Sequence, residues 1–297
     1  MTSTRFVRKS GLWQSLIVSH TPPPATSTIA HGSEIPAAFT AGLIGLKAGV
    51  GLTNVGNGWA PQANTTYENL LIPKAHTITV PGVTFVNCHF VNNGQYRILE
   101  NWQTVSNASV TTLVNCHIDG NGWADAGIFG QNFRLERCTF ADTLKDMHVT
   151  NNIVVIECLM RDHIIPPDGA HCECVFMGSG SDRTFLRCFM TYEPDVAVSS
   201  AISAYNQPDC YGFLLEDCYV SGGGYAVYGG GTTNTADVKI RGNIFGRDMG
   251  RFSGLYGPMD FTGMNTPGWE FSGNTWGARG ADWVTGDPEE GDAVATW

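Results

Sequence analysis

A single short frame, apolar-x-x-Cys-x-apolar, recurs six times along this chain. It reads FVNCHF at 85–90, LVNCHI at 113–118, LERCTF at 135–140, VIECLM at 155–160, FLRCFM at 185–190 and LEDCYV at 215–220. The frame continues as IRGNIF at 240–245 and FSGNTW at 271–276, with Asn243 and Asn274 in the cysteine position. Successive marker residues stand 20 to 31 positions apart. Repeats of that length are units that cannot bury an apolar face alone and must stack on their neighbours. No apolar period of 3.6 residues is long enough for a crossover helix, and Gly, Asn, Asp or Pro bound each stretch. Strands stacked coil on coil without helices pair in parallel. The expected fold is therefore all-β, a single-stranded right-handed parallel β-helix (solenoid) of about eight coils.

In such a solenoid, equivalent side chains of successive coils lie roughly 4.8 Å apart and form ladders. The marker cysteines make one ladder, and their Cβ vectors point the same way, which disfavours disulfide geometry. Buried, reduced thiols are expected, consistent with an odd total of nine cysteines. Cys172, Cys174 and Cys210 fall outside the ladder and read as loop residues packed beside the strands; one intervening residue between Cys172 and Cys174 is short for a zinc pair. A second strand per coil is legible at 97–99 (RIL), 127–129 (GIF), 148–150 (HVT), 174–176 (CVF), 201–203 (AIS) and 226–228 (AVY), with the central aliphatic expected to point inward.

The repeat divides the chain into an N-terminal arm at 1–75, the β-helix at 76–276 and an acidic C-terminal tail at 277–297. The arm is rich in Thr, Pro, Ala and Gly and carries no core of its own. A short helix or strand is expected near 37–46. Its run 12–18 (LWQSLIV) follows three basic residues but is broken by Gln14 and Ser15, so it reads as neither a secretory signal nor a membrane span. Net charge is −10 and only 15% of residues are charged. That balance argues against nucleic acid, whose phosphates need a basic face. An anionic uronate polymer would need a bridging cation such as Ca²⁺; otherwise no cofactor or metal is expected.

Several runs resemble right-handed β-helix proteins of the pectate-lyase-like superfamily, of the kind found in actinobacteria and in the tails of their phages. The matching stretches are 81–85 (PGVTF), the His171-x-Glu173 region, 222–230 (GGGYAVYGG) and 243–248 (NIFGRD). The resemblance implies the β-helix fold and a ligand groove along one outer face. Relatives often carry His-x-Asp-Gly-Ile where this chain has His171-Cys172-Glu173-Cys174-Val175, a longer carboxylate and a cysteine for glycine.

The densest polar set falls on two consecutive coils, Asp146 and His148 on one and Asp168, His171 and Glu173 on the next. Two of its carboxylates with the two imidazoles, within one or two coil spacings, suit glycoside hydrolysis, one acid protonating the leaving oxygen and the other activating water or attacking carbon. Three readings stay open for this set: catalysis, contact with a ligand, and local structure, since Pro166-Pro167-Asp168-Gly169 is also a turn signature. Lys145, Arg161 and Arg183 are the cations a lyase would draw on. Tyr205, Tyr225 and Tyr228 are the candidate sugar-stacking residues, and Trp276 sits at an inward position of its frame. Buried thiols and the resemblance together suggest a phage tail-associated protein, a tailspike or minor tail protein assembled in a reducing cytoplasm and carried in the virion. It would contact host surface glycan, with cleavage of that glycan left open, join other tail proteins through 1–75 and associate as a trimer. The alternatives are a secreted extracellular polysaccharide hydrolase or lyase of an actinobacterium and a purely structural virion component.

Overall fold

A computed structural model describes residues 44–297 except 123, 162, 165–171, 193–199, 248–250, 263, 265, 279–286 and 295–297, together with the backbone of Thr2–Lys9 and Leu12–Ser19. The chain winds as a right-handed parallel β-helix. Its strands form three sheets in which every neighbour is the equivalent strand of the next coil. Sheet 1 has nine strands, sheet 2 ten and sheet 3 eight. One coil runs Thr84–Val86 in sheet 1, His89–Val91 in sheet 2 and Arg97–Asn101 in sheet 3. No α-helix occurs among the described residues.

Each sheet sends one continuous apolar ladder inward. In sheet 1 it runs Tyr67, Phe85, Leu113, Leu135, Val155, Phe185, Leu215, Ile240 and Phe271. In sheet 3 it runs Leu99, Ile128, Met147, Val175, Ile202, Val227 and Met259. Nearly all these side chains are buried in one core, and that burial is the main source of the fold's stability. The inward residues expected at Ile128, Val175, Ile202 and Val227 hold. Ile98 and Val149 are buried in the core as expected too, although the residues in register with Ile128 are Leu99 and Met147.

The marker residues stack as expected. Cys138 N–H donates to Cys158 Sγ at 3.3 Å and Cys188 N–H to Cys218 Sγ at 3.3 Å. The asparagines continue the pattern, with Cys218 N–H donating to Asn243 Oδ1 at 2.9 Å and Asn243 N–H to Asn274 Oδ1 at 3.0 Å. All nine cysteines are free and buried. Burial pushes the thiols of Cys116, Cys158 and Cys218 well above their usual range, which keeps them protonated. Cys174 lies within the strand Glu173–Met177, as the strand expected at 174–176 requires, and Cys210 within Asp209–Glu216, so the loop reading of these two cysteines is corrected.

Between sheets 1 and 2 the backbone turns sharply at the residue before each marker. Asn69, Asn87, Asn115, Arg137, Glu157, Arg187 and Asp217 all take positive φ, from 51° to 57°. The left-handed region costs a residue with a Cβ about 1 kcal/mol, and the later coils relieve it with Gly242 and Gly273. Side chains on this column bind along the axis. Asn87 Nδ2 donates to Asn69 Oδ1 at 2.7 Å, Arg137 Nη1 lies 3.6 Å from Glu157 Oε2, and Arg187 Nε lies 3.1 Å from Glu157 Oε1.

The solenoid begins inside the segment expected to be an arm. Thr53–Asn54 pairs with Leu70–Ile72, and Thr66–Glu68 pairs with Thr84–Val86. Trp59 covers this end, packing edge-on against Tyr67 at 4.9 Å and His76 at 5.2 Å. Farther toward the N-terminus, Gly45 N–H donates to Arg137 O and Lys47 N–H to Asn87 Oδ1, so 44–47 lies along the solenoid. Thr2–Lys9 and Leu12–Ser19 form an antiparallel hairpin. The tail also returns to the body. Ala293 bridges Thr275 in the antiparallel sense, Val294 N–H donates to Asn274 O, and Arg251 pairs with Asp287. Trp276 is buried at its inward position, as expected, and Trp297 lies outside the described residues.

Candidate functional site

Sheet 3 presents two outward columns. The first runs Arg97, Ala126, Lys145, Glu173, Ser200 and, in the same register, Tyr225. The second runs Glu100, Phe129, His148, Phe176, Ser203, Tyr228 and Asp260. Between them a groove of about 440 Å³ opens, lined by Asp125, Lys145, His148, Glu173 and Phe176, with Tyr96 and Arg97 at one end and Tyr205, Asn206 and Gln207 at the other.

Glu173 forms the floor. It is 1% exposed, and its Oε2 has no hydrogen-bond partner. Burial raises its carboxyl from the ordinary 4.5 to about 7, with nearby Lys145 opposing the rise and Asp125 adding to it. Lys145 Nζ lies 3.3 Å from Asp125 Oδ1. The ring of His148 stands edge-on between Phe129 and Phe176, each 4.8 Å away. Burial, aided by Lys145, lowers its basicity to about 4, so the imidazole is neutral at physiological pH. The Arg97 guanidinium lies over the Phe129 ring at 3.3 Å, a cation–π contact that anchors the near wall.

Beyond Tyr205 the groove meets a tyrosine platform. Tyr205 stacks on Tyr228 at 5.0 Å and 12°, Tyr225 stacks on Tyr228 at 5.3 Å and 24°, and Tyr256 adds a tilted ring at 5.7 Å from Tyr225. Tyr256 is 58% exposed. The three tyrosines picked from sequence thus share one surface that adjoins the polar groove.

Of the five residues expected to carry chemistry, the structure brings His148 and Glu173 together. Asp146 is inside the solenoid. It is fully buried, accepts from Thr143 Oγ1 at 2.6 Å and meets His163 Nε2 at 2.9 Å. With Cys174, these groups lie within 4.8 Å of one another in the interior. The cause is local: in Lys145–Val149 both Asp146 and Met147 are buried, so period-two alternation fails within the strand. Asp168 and His171 lie outside the described residues. Of the cations, Lys145 faces the groove. Arg183 is fully buried and spends its guanidinium on the carbonyls of Gly178 and Gly180 at 2.7 and 2.6 Å.

Asp125, Tyr96 and Phe176 were not anticipated. Asp125 immediately precedes the sheet 3 strand Ala126–Gly130, and only the coil-to-coil register brings it beside Lys145. No family model, curated protein or solved structure matches this chain.

Proposed function

We propose that the outer face of sheet 3 binds a neutral or weakly charged surface polysaccharide and that Glu173 cleaves it by general acid catalysis. The observation that carries this reading is a buried carboxyl with one unpartnered oxygen, its proton affinity raised to about 7 by burial, in a groove that runs onto a tyrosine platform. Glu173 donates its proton to the glycosidic oxygen as the bond to the anomeric carbon breaks. A water adds to that carbon, and Asp125 takes the proton the water releases. The stacked faces of Tyr205, Tyr225 and Tyr228 suit sugar rings, which present apolar C–H surfaces to aromatic carbon. The net charge of −10 disfavours a strongly anionic polymer.

The narrower reading is a phage tail protein whose N-terminal hairpin joins other virion proteins and whose solenoid meets the host surface as a trimer. The resemblance of 222–230 and 243–248 and a full set of buried free thiols support it. The test uses actinobacterial cell-wall glycan, measuring retention of the chain and release of reducing ends. Release by the native chain and its loss by at least a hundredfold in Glu173→Gln, with retention kept, is the expected result. Undiminished release in Glu173→Gln overturns the assignment.

A further inference from the structure

We propose that His89, His117 and Asp119 form a binding site for a divalent transition-metal ion of the Zn²⁺ type on the outer face of sheet 2. A histidine follows the marker cysteine in two consecutive coils, and the parallel register sets His117 directly over His89. Asp119, two residues after His117, projects from the same face of its strand. One coil therefore supplies an imidazole, and the next an imidazole and a carboxylate.

The ligand atoms already converge. His89 Nε2 lies 3.6 Å from Asp119 Oδ2, the imidazole centroids are 4.9 Å apart, and one ligand atom from each of the three residues falls within 4.8 Å of the others. Zinc holds nitrogen and oxygen at about 2.0–2.2 Å, so ligand atoms on a tetrahedron stand about 3.4 Å apart. The His89–Asp119 pair is near that separation, and small side-chain rotations bring in His117.

Two neighbours orient the set as outer partners of metal ligands do. Thr139, on the third coil of the same column, holds His117 Nδ1 at 2.7 Å through its hydroxyl. The Asn121 backbone N–H donates to Asp119 Oδ1 at 2.6 Å. The most telling atom is His89 Nε2, which is buried and faces Asp119 Oδ2 across 3.6 Å, too far for a well-formed hydrogen bond. A buried polar atom without a partner is costly, and a metal ion shared with Asp119 would satisfy it. Side-chain exposures of 22% for His89 and 25% for Asp119 leave one side open to water.

Two imidazoles and one carboxylate favour Zn²⁺, Co²⁺ or Ni²⁺ over Ca²⁺, which takes six to eight oxygens. The site would clasp two consecutive coils and retain an open coordination position. It lies on a different sheet from the groove and does not depend on the reading of Glu173.

The test is titration of the chelator-treated full chain with Co²⁺, followed by visible absorption, and with Zn²⁺, followed by calorimetry. One ion per chain is expected, with thermal unfolding shifted upward by Zn²⁺ and not by Ca²⁺. His117→Ala and Asp119→Asn should each weaken binding at least tenfold, Thr139→Val by a few-fold, and Glu173→Gln not at all. Far-ultraviolet circular dichroism of each variant checks that it folds. Failure of Co²⁺ to develop ligand-field bands, or unchanged affinity in both His117→Ala and Asp119→Asn, overturns the site.

Discussion

Charge is handled in opposite ways on two outer surfaces of this solenoid. Along the turn between sheets 1 and 2, signs alternate from coil to coil through Arg137, Glu157 and Arg187, and each group sits half in water against an opposite partner. On sheet 3, Glu173 is sealed from water with one oxygen unpartnered, its neighbours being Lys145 and a neutral imidazole. The first arrangement offsets backbone strain with pairs that cost little to form. The second leaves a proton where the fold alone has no use for it. An unpartnered buried carboxyl in a groove, more than charge density, sets the candidate surface apart from the turn column.

The largest effect expected from breaking this contrast is at Glu173. Its carboxyl is raised in the folded chain, so the native state holds a proton that the unfolded state has released between pH 4.5 and about 7. Wild-type stability therefore falls as pH rises through that window, by about 3 kcal/mol in total. In Glu173→Gln the loss disappears. Denaturant midpoints at pH 4.5 should coincide for the two chains, and at pH 8 the variant should be the more stable.

His148 has the opposite sign, because its folded value is depressed to about 4 and the unfolded chain takes up the proton first. Its contribution is present above pH 6.5 and is lost as pH falls toward 4. His148→Phe should remove that acid-side loss, seen as a variant-minus-wild-type difference that grows between pH 6.5 and 4. A flat difference would show that burial does not hold the ring neutral.

A smaller effect is expected on the platform, where Tyr228 touches both Tyr205 and Tyr225. Tyr228→Ala should weaken glycan retention roughly tenfold, the scale of one or two aromatic contacts at about 0.5–1.5 kcal/mol each, and leave the pH dependence of stability unchanged. The smallest effect belongs to the turn column. Arg187→Ala should cost at most about 0.5 kcal/mol, shrinking further in high salt. A loss several times larger would mean that the column is a cooperative network.

Much of the fold was legible because one thiol or amide per coil sits in an apolar frame, and stacking alone explains such a repeat. The first coils were hidden by a single substitution. The segment 67–72 (YENLLI) keeps the frame and the left-handed Asn69 but puts Leu70 in the marker position. The site was less legible. Glu173 and His148 were found as polar residues of adjacent coils, whereas Asp146 followed an alternation that the strand breaks between Asp146 and Met147. Asp125 joins the groove only through register across coils, which no local pattern encodes. His89 and His117 stood in plain view after two marker cysteines, yet their shared outward direction emerges only once the column is stacked.

The returning segment at 287–294 has a consequence for assembly. A parallel solenoid ends in backbone donors and acceptors that match its own opposite end, so an uncovered terminus invites another molecule to continue the winding. Ala293 answers Thr275 in the antiparallel sense, a polarity that the next coil could not adopt. The returning segment thus occupies the sheet 2 edge at Thr275–Trp276 and shields it from pairing with a further strand.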